Sequence, residues 1–229
     1  MNFNYYYNNV PDEGQSRNNL VYTSLISDDQ KVFVKWYHND TEYHQGKNQV
    51  VDPGLMNEKW EREVKYLKLM HGAYNNLVPK ILDIDYTYKK IYLEIDGPDF
   101  WQRSLDSLCD FNSVVSDWQE QMLAIIKAHK TLGLYKHSLH PSSYFVVNGK
   151  LKSINYFFTY SDSDLDISIA SVQSHISEQR QTELKKYTDS RTIDWNKTYP
   201  HKFIQQLGFD CFSNMYPADF IEKAKAIYS

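Results

Sequence analysis

The first hundred residues carry short runs of β-branched and aromatic residues separated by polar turns. Leu20 to Ile26 and Lys31 to Tyr37 are two such runs, and their composition favours strands. The polar tetrapeptide 27–30 between them predicts a hairpin. Two further short strands are predicted at 81–86 and 91–95, again joined by four residues.

A 3.6-residue apolar period predicts helices elsewhere in the chain. Residues 57–70 form one candidate, with Trp60, Val64 and Leu67 on one face. A longer helix is predicted to end near Gly133, the kind of residue that commonly terminates a helix. Its apolar stripe consists of Trp118, Met122, Ile125, Ile126, His129 and Leu132.

The remainder of the chain combines one hairpin with helical character. Asn148-Gly149 is a strong hairpin signal between strands at 144–147 and 151–155. The last seventy residues are predicted to be mostly helical. Pro217 fits the start of a final helix that turns Phe220, Ile221, Ala224 and Ile227 inward.

This order of elements predicts an α+β fold in two parts. Strands with one helix precede Asp96-Gly97-Pro98, and a long helix, a loop, a hairpin and further helices follow it. We therefore expect one bilobal domain, with a β-rich N-terminal lobe at 1–97 and a mostly helical C-terminal lobe at 98–229.

Composition excludes several classes of protein. The 229 residues carry 25 Lys and Arg against 29 Asp and Glu, a net charge of −4, which argues against nucleic acid or an anionic membrane as the partner. Two cysteines are too few for a disulfide scaffold or a Cys-rich zinc site. With no signal peptide or apolar span in the sequence, we expect a reducing, cytoplasmic setting.

Seven short segments then follow one another in an order that is known from a large fold family. They are Gly14–Tyr22, Val32-Phe33-Val34-Lys35, Glu63 in EREVKYLKL, Leu93-Glu94-Ile95-Asp96-Gly97, Ala128–Leu134, Leu139-His140-Pro141-Ser142 and Val146–Leu151. Together they resemble the protein-kinase-like fold, and most of all its aminoglycoside-phosphotransferase, choline-kinase and lipopolysaccharide-kinase branches. The resemblance covers roughly residues 14–160.

The resemblance implies roles for particular residues. Gly14–Tyr22 would cover the nucleotide phosphates, and Lys35 on the third strand would bind them while pairing with Glu63. The strand that contains Glu94 and Asp96 would offer backbone groups to adenine. Each of these assignments is an expectation carried over from the family.

Three positions depart from the family in a way that bears on catalysis. Ser138 stands where the family has its catalytic aspartate, Ser143 replaces a metal-binding asparagine, and Asn155 replaces the metal-binding aspartate. Loss of a general base typically lowers a rate by about 10²–10⁴-fold, and Mg²⁺ prefers carboxylate and phosphate oxygens. We therefore predict no catalytic residues and no metal site.

Phe33 is a fourth departure, because the family has a small alanine under the adenine ring. Side chains two apart on a strand share a face, so Phe33 points the same way as Lys35. It would fill the adenine position and complete an apolar core without nucleotide. We expect no cofactor beyond weak ATP binding without magnesium.

The leading hypothesis is a pseudokinase that acts by binding a protein partner, in a regulatory or inhibitory role. One alternative is an active atypical phosphotransferase, in which Lys35 and Glu63 orient ATP. His137 or the acidic residues Asp162, Asp164 and Asp166 would then replace the base. A second alternative is a structural or assembly component of a virus such as a phage, suggested by the Asn- and Tyr-rich composition.

Overall fold

The computed structural model describes residues 1–5, 22–38, 53–161, 167–168, 198–199 and 202–229. The segment 14–21 of the expected phosphate loop lies outside the described residues, as do Asp162, Asp164 and Asp166. The described elements combine an antiparallel sheet with several helices, so the α+β class predicted from the sequence is confirmed.

The N-terminal half contains a five-stranded antiparallel sheet in the order β1-β2-β3-β5-β4. Its strands and the adjacent helix are β1 (Phe3–Tyr5), β2 (Thr23–Ser27), β3 (Val32–Trp36), α1 (Pro53–Ala73), β4 (Ile81–Asp85) and β5 (Lys90–Glu94). The β2–β3 and β4–β5 hairpins predicted from the sequence are both present. In the central pairing, Phe33 lies opposite Leu93 and Lys35 opposite Ile91.

The described part of the C-terminal half is built on helices and three short strand pairs. Its elements are α2 (Phe100–Asp106), α3 (Phe111–Val114), α4 (Trp118–Thr131), β6 (Leu134–Lys136), a 3₁₀ turn (Pro141–Ser143), β7 (Tyr144–Val147), β8 (Lys150–Ser153), β9 (Thr159–Ser161), β10 (Ile167–Ser168), β11 (Thr198–Tyr199), α5 (Lys202–Phe212) and α6 (Ala218–Ile227). The strand pairs are β6–β9, β7–β8 and β10–β11. The helical expectation for the last seventy residues holds for α5 and α6. The same stretch also contains the short strands β9, β10 and β11, and residues 162–166, 169–197 and 200–201 lie outside the described residues. None of the described helices has the length and apolar character needed to cross a bilayer.

Two buried hydrophobic clusters hold these elements together. One joins the sheet to the inner face of α1, where Trp60, Val64 and Leu67 point as the period predicted. The other joins α4 and α6 through Trp118 and Phe220. The sheet cluster also takes in residues from beyond position 97, namely Phe145, Ile154 and Tyr156, so residues 1–97 do not form their core alone.

Helix α5 packs directly on the chain that follows β6. A Cβ atom at Gly208 would lie 2.6 Å from the backbone oxygen of His137, so the close approach requires glycine. We expect Gly208→Ala to lower the free energy of unfolding by about 1–3 kcal/mol through overpacking. Gly72→Ala is the control, since nothing lies within 4 Å of a Cβ there and alanine favours a helix by about 1 kcal/mol. Chemical denaturation of the parent protein and both variants checks the prediction. A Gly208→Ala variant as stable as the parent protein would contradict it.

Candidate functional site

Lys35 and Glu63 meet as a buried ion pair between β3 and α1. The Lys35 ammonium lies 2.8 Å from a Glu63 carboxylate oxygen, and both side chains are 0% exposed. Burial lowers the pKa of Lys35, and the negative charge of Glu63 opposes that effect. The pairing that the resemblance implies is therefore present, with both partners removed from solvent.

Asn155 connects this pair to the chain near Ser143. Its side-chain oxygen accepts hydrogen bonds from the Lys35 ammonium and the Tyr22 hydroxyl, both at 3.0 Å. Its amide nitrogen donates to the Ser143 hydroxyl at 3.0 Å. Asn155 has a φ of 65°, a left-handed conformation that asparagine adopts more readily than most residues. Two of the three altered positions thus lie in one hydrogen-bonded chain with Lys35.

The Glu63 carboxylate faces the Lys35 ammonium with one oxygen and accepts hydrogen bonds with the other. Its second oxygen accepts a hydrogen bond from the backbone N–H of Phe157 at 2.7 Å and a longer one from the Tyr37 hydroxyl at 3.4 Å. The Lys35 nitrogen lies over the Tyr22 ring, 4.3 Å from its centroid. The lysine that would hold phosphates is instead enclosed by protein groups.

Phe33 occupies the space beside Lys35 on the same face of β3. It is 0% exposed, and its ring packs 4.9 Å from the ring of Phe145 in β7. Phe145 is also 0% exposed. The two rings fill the gap between the sheet and the β7–β8 hairpin with apolar bulk.

Glu94 and Asp96 lie apart from this cluster. Glu94 is exposed, and as the neighbour of Leu93 on β5 it points to the opposite face of the sheet. The Asp96 carboxylate pairs with the Lys31 ammonium at the surface. The backbone N–H groups of Glu94, Ile95 and Gly97 donate to Lys80, Lys31 and Gln30 oxygens. These three donors are therefore already used within the protein.

Lys136 is a buried residue at the site that the sequence motifs did not reveal. Its ammonium donates to the backbone oxygen of Ser138, and it lies 5.7 Å and 5.5 Å from the ring centroids of Tyr144 and Tyr156. Burial lowers the pKa of Lys136 to about 7, with Glu63 opposing the shift and Lys35 adding to it. Ser138 itself is nearly buried. No regular pattern marks Lys136 in the short run Leu134–Lys136.

Packing and hydrogen bonds hold three histidines in place, namely His129, His137 and His140. His129 is buried in α4, and its Nε2 lies 3.1 Å from the Tyr156 hydroxyl; burial lowers its pKa to about 3. His140 accepts a hydrogen bond from the Ser142 N–H and caps the 3₁₀ turn. The ring of His137 is 2% exposed and packs against Phe158 and Phe212, an enclosed position for the base suggested above.

Lys59 is a further buried lysine; spacing indicates its helix face, and its burial is a finding of the structure. It lies four residues before Glu63 on α1, hence on the same helix face. Its side chain is 0% exposed, and within the described part of the chain its ammonium has no hydrogen-bond partner. The ring of Phe157 lies 5.7 Å away. Burial lowers the pKa of Lys59 to about 7, with the carboxylate of Glu58 opposing the shift.

Lys59 gives a testable pH dependence. Because its pKa is about 7 in the folded protein and near 10.5 in the unfolded chain, the unfolded state binds more protons between these values, and stability rises with pH across that window. We expect Lys59→Met to raise the free energy of unfolding at pH 6 by about 1–3 kcal/mol and to flatten the rise from pH 7 to pH 9. Urea titrations at each pH measure both effects.

Lys127→Met is the matched control, since Lys127 is exposed on α4. It should leave the stability and its pH dependence close to those of the parent protein. A Lys59→Met protein that is less stable than the parent at pH 6 would contradict this account of Lys59.

The electrostatics of the site oppose metal binding. Lys35 and Lys136 lie near the single carboxylate of Glu63, and the altered positions supply only hydroxyl and amide groups. Among the described residues, no group of three His, Cys, Asp or Glu side chains is placed to hold a metal ion. The polar side chains of the site form ion pairs and hydrogen bonds with one another. Among the described residues they include no pair of carboxylates for a divalent cation.

Comparison with protein-family models and with curated proteins finds no match to the chain.

Proposed function

We propose that the chain is a kinase-like protein that has lost phosphoryl transfer and acts by binding a protein partner. The enclosure of the Lys35 ammonium carries this proposal. In an active member the lysine of the third strand holds nucleotide phosphates while it pairs with the helix glutamate. Here Glu63, Asn155 and the Tyr22 ring occupy its surroundings, and the side chain is 0% exposed.

Two further observations support the same function. Phe33, at the position that the resemblance puts under adenine, packs against Phe145, and this contact supports a core that is complete without a nucleotide. The changed positions Ser138, Ser143 and Asn155 leave no carboxylate for metal binding or for deprotonating an acceptor. A chain that retains the Lys35–Glu63 pair but has no carboxylate at these three positions keeps the folded framework and loses phosphoryl transfer.

The surface and charge fit a protein partner better than the other classes. A net charge of −4 does not suit nucleic acid, and exposed apolar side chains occur on two surfaces of the described residues. Exposed apolar patches mark interaction sites on many proteins. We assign the function to those surfaces and a supporting role to the enclosed cluster.

The retained Lys35–Glu63 pair favours one competing function, an active phosphotransferase of unusual construction. Incubation with γ-labelled ATP and Mg²⁺ or Mn²⁺ separates the two. The proposal expects no hydrolysis and no labelled protein above a heat-denatured control. Turnover that Lys35→Ala abolishes would overturn it. Affinity purification of the tagged chain from its native source should then recover a protein partner in stoichiometric amount.

A further inference from the structure

The large exposed apolar side chains of the described residues, apart from Met1, fall into two separate groups. Leu69 is in α1, Leu82 is in β4, and Tyr86 and Tyr88 are in the turn after β4, whereas Leu105 is in α2 and Leu108 is in the turn that follows α2. Scattered exposed apolar residues need no explanation. Here, by contrast, one group forms a projection and the other borders a groove of opposite charge, and this match needs an explanation.

The turn between α2 and α3 presents a projecting knob. Leu108 is 95% exposed, and both Leu108 and Cys109 are left-handed, with φ of 58° and 63°. Such a conformation costs a residue other than glycine roughly 1–2 kcal/mol. The Cys109 N–H donates to the Ser104 oxygen at 2.6 Å, which fixes the turn with the leucine outward. Strain that is held in place in this way is typical of functional segments.

Acidic side chains flank this knob. Asp106 and Asp110 are both exposed on either side of Leu108. Asp110 caps α3 through the Asn112 N–H, and hydrogen bonds from Ser113 and Asn112 lower its pKa, which keeps it ionised. The knob is therefore one aliphatic side chain between two negative charges.

An edge of α1 beside Tyr86 presents a groove of the opposite character. It has a volume of about 480 Å³, enough for an isobutyl side chain and part of the turn that carries it. Buried Trp60 and Val64 form its floor and exposed Tyr86 one wall; the Trp60 and Tyr86 rings are 6.1 Å apart. Lys65 and Lys68 lie on its rim with a single acidic residue, Glu61, so the rim is net positive.

We propose that the groove on α1 receives the Leu108 knob of a second copy of this chain. The isobutyl group would contact Trp60 and Tyr86, while the aspartates on either side of the knob approach Lys65 and Lys68. Because the knob and the groove are different surfaces, each copy carries both and the contact is head-to-tail. The contact is small, and interfaces burying less than about 1,200 Å² are weak. We therefore expect self-association only at high local concentrations. It does not depend on the enclosed Lys35 cluster.

Sedimentation velocity of three proteins tests this pairing, at concentrations up to about 500 µM because the contact is small. The parent chain should associate as its concentration rises, and less so in high salt. Leu108→Asp alone, and Lys65→Glu with Lys68→Glu, should each raise the dissociation constant about tenfold or more. A reducing agent keeps the exposed Cys109 thiol from forming disulfides.

Mixing the two variants gives the sharpest result, because each retains the surface that the other lacks. The mixture should form a 1:1 heterodimer while each variant alone stays monomeric. Lys80→Glu with Lys127→Glu changes the net charge equally at other exposed positions and should associate as the parent does. A monomeric parent chain, a variant that associates as the parent does, or a mixture that stays monomeric would each overturn the proposal. Circular dichroism confirms that every variant is folded.

Discussion

Glu63→Gln should lower the free energy of unfolding by about 3–5 kcal/mol at pH 7, the cost typical of removing one partner from a buried ion pair. Glutamine keeps an acceptor for the Phe157 N–H, which now donates to Glu63 at 2.7 Å. It removes the negative charge beside the Lys35 ammonium, and the side chain of Lys35 is 0% exposed. The substitution therefore isolates the electrostatic contribution of the pair.

Two further proteins make this experiment decisive. Lys35→Met combined with Glu63→Gln should be more stable than Glu63→Gln alone, because no lone ammonium remains buried. Glu61→Gln, at an exposed position on the same helix, should change stability by no more than about 0.5 kcal/mol. Were Lys35 open to solvent in a nucleotide cleft, Glu63→Gln would cost at most about 1 kcal/mol, and that outcome would contradict the enclosed pair. Guanidinium titrations give all three values.

Phe33→Ala is expected to cost about 3–5 kcal/mol, the range for truncating a buried phenylalanine. The substitution restores the small residue of the resembling families and leaves Phe145 without its partner ring, now 4.9 Å away. Thermal and chemical unfolding measure the loss. Because the rings are in contact, the costs of Phe33→Ala and Phe145→Ala should not add in the double variant.

Ligand rescue distinguishes a filled cavity from general disruption of the fold. An apolar cavity made by truncation binds small apolar molecules such as benzene. Benzene should therefore raise the melting temperature of Phe33→Ala and leave that of the parent chain unchanged. A loss below about 1 kcal/mol for Phe33→Ala would show that the ring lies in an adaptable or open site.

The parts of the fold that were predictable are those with a regular local pattern. The β2–β3 hairpin, the stripe of α4 and the Asn148-Gly149 hairpin depend on periodicity and turn chemistry, which short windows of sequence contain. The predicted helix at 57–70 was found as the longer α1. By contrast, β1 and β6 are three residues each and are stabilised by distant partners, β2 and β9, that no local window can identify.

The candidate site shows the same division. The segments that carry Lys35, Glu63 and Asn155 were recognisable by their order, and the structure brings the three side chains together. The burial of Lys59 and Lys136 was not recognisable, because lysine is usually exposed and its enclosure depends on tertiary packing. Glu94 and Asp96 were chosen for their place on the strand, and their side chains lie apart from the pair.

The chemistry of the site depends on what those packed groups replace. Asn155 donates a hydrogen bond to the Ser143 hydroxyl and accepts one from the Lys35 ammonium, so two positions that the resemblance assigns to metal ligands link the C-terminal half of the chain to β3. An amide and a hydroxyl can do this without the repulsion that clustered carboxylates would suffer in the absence of a cation. Under the proposed function, the same substitutions would abolish metal binding and stabilise the enclosed arrangement.

Calorimetric titration of ATP into the parent chain, with and without Mg²⁺, tests the enclosed and metal-free site most directly. We predict no saturable heat for Mg·ATP, and no tightening of any weak ATP signal when Mg²⁺ is added. Saturable binding that Mg²⁺ strengthens, and that Lys35→Ala removes, would show that the site opens to a metal–nucleotide complex and would contradict the account.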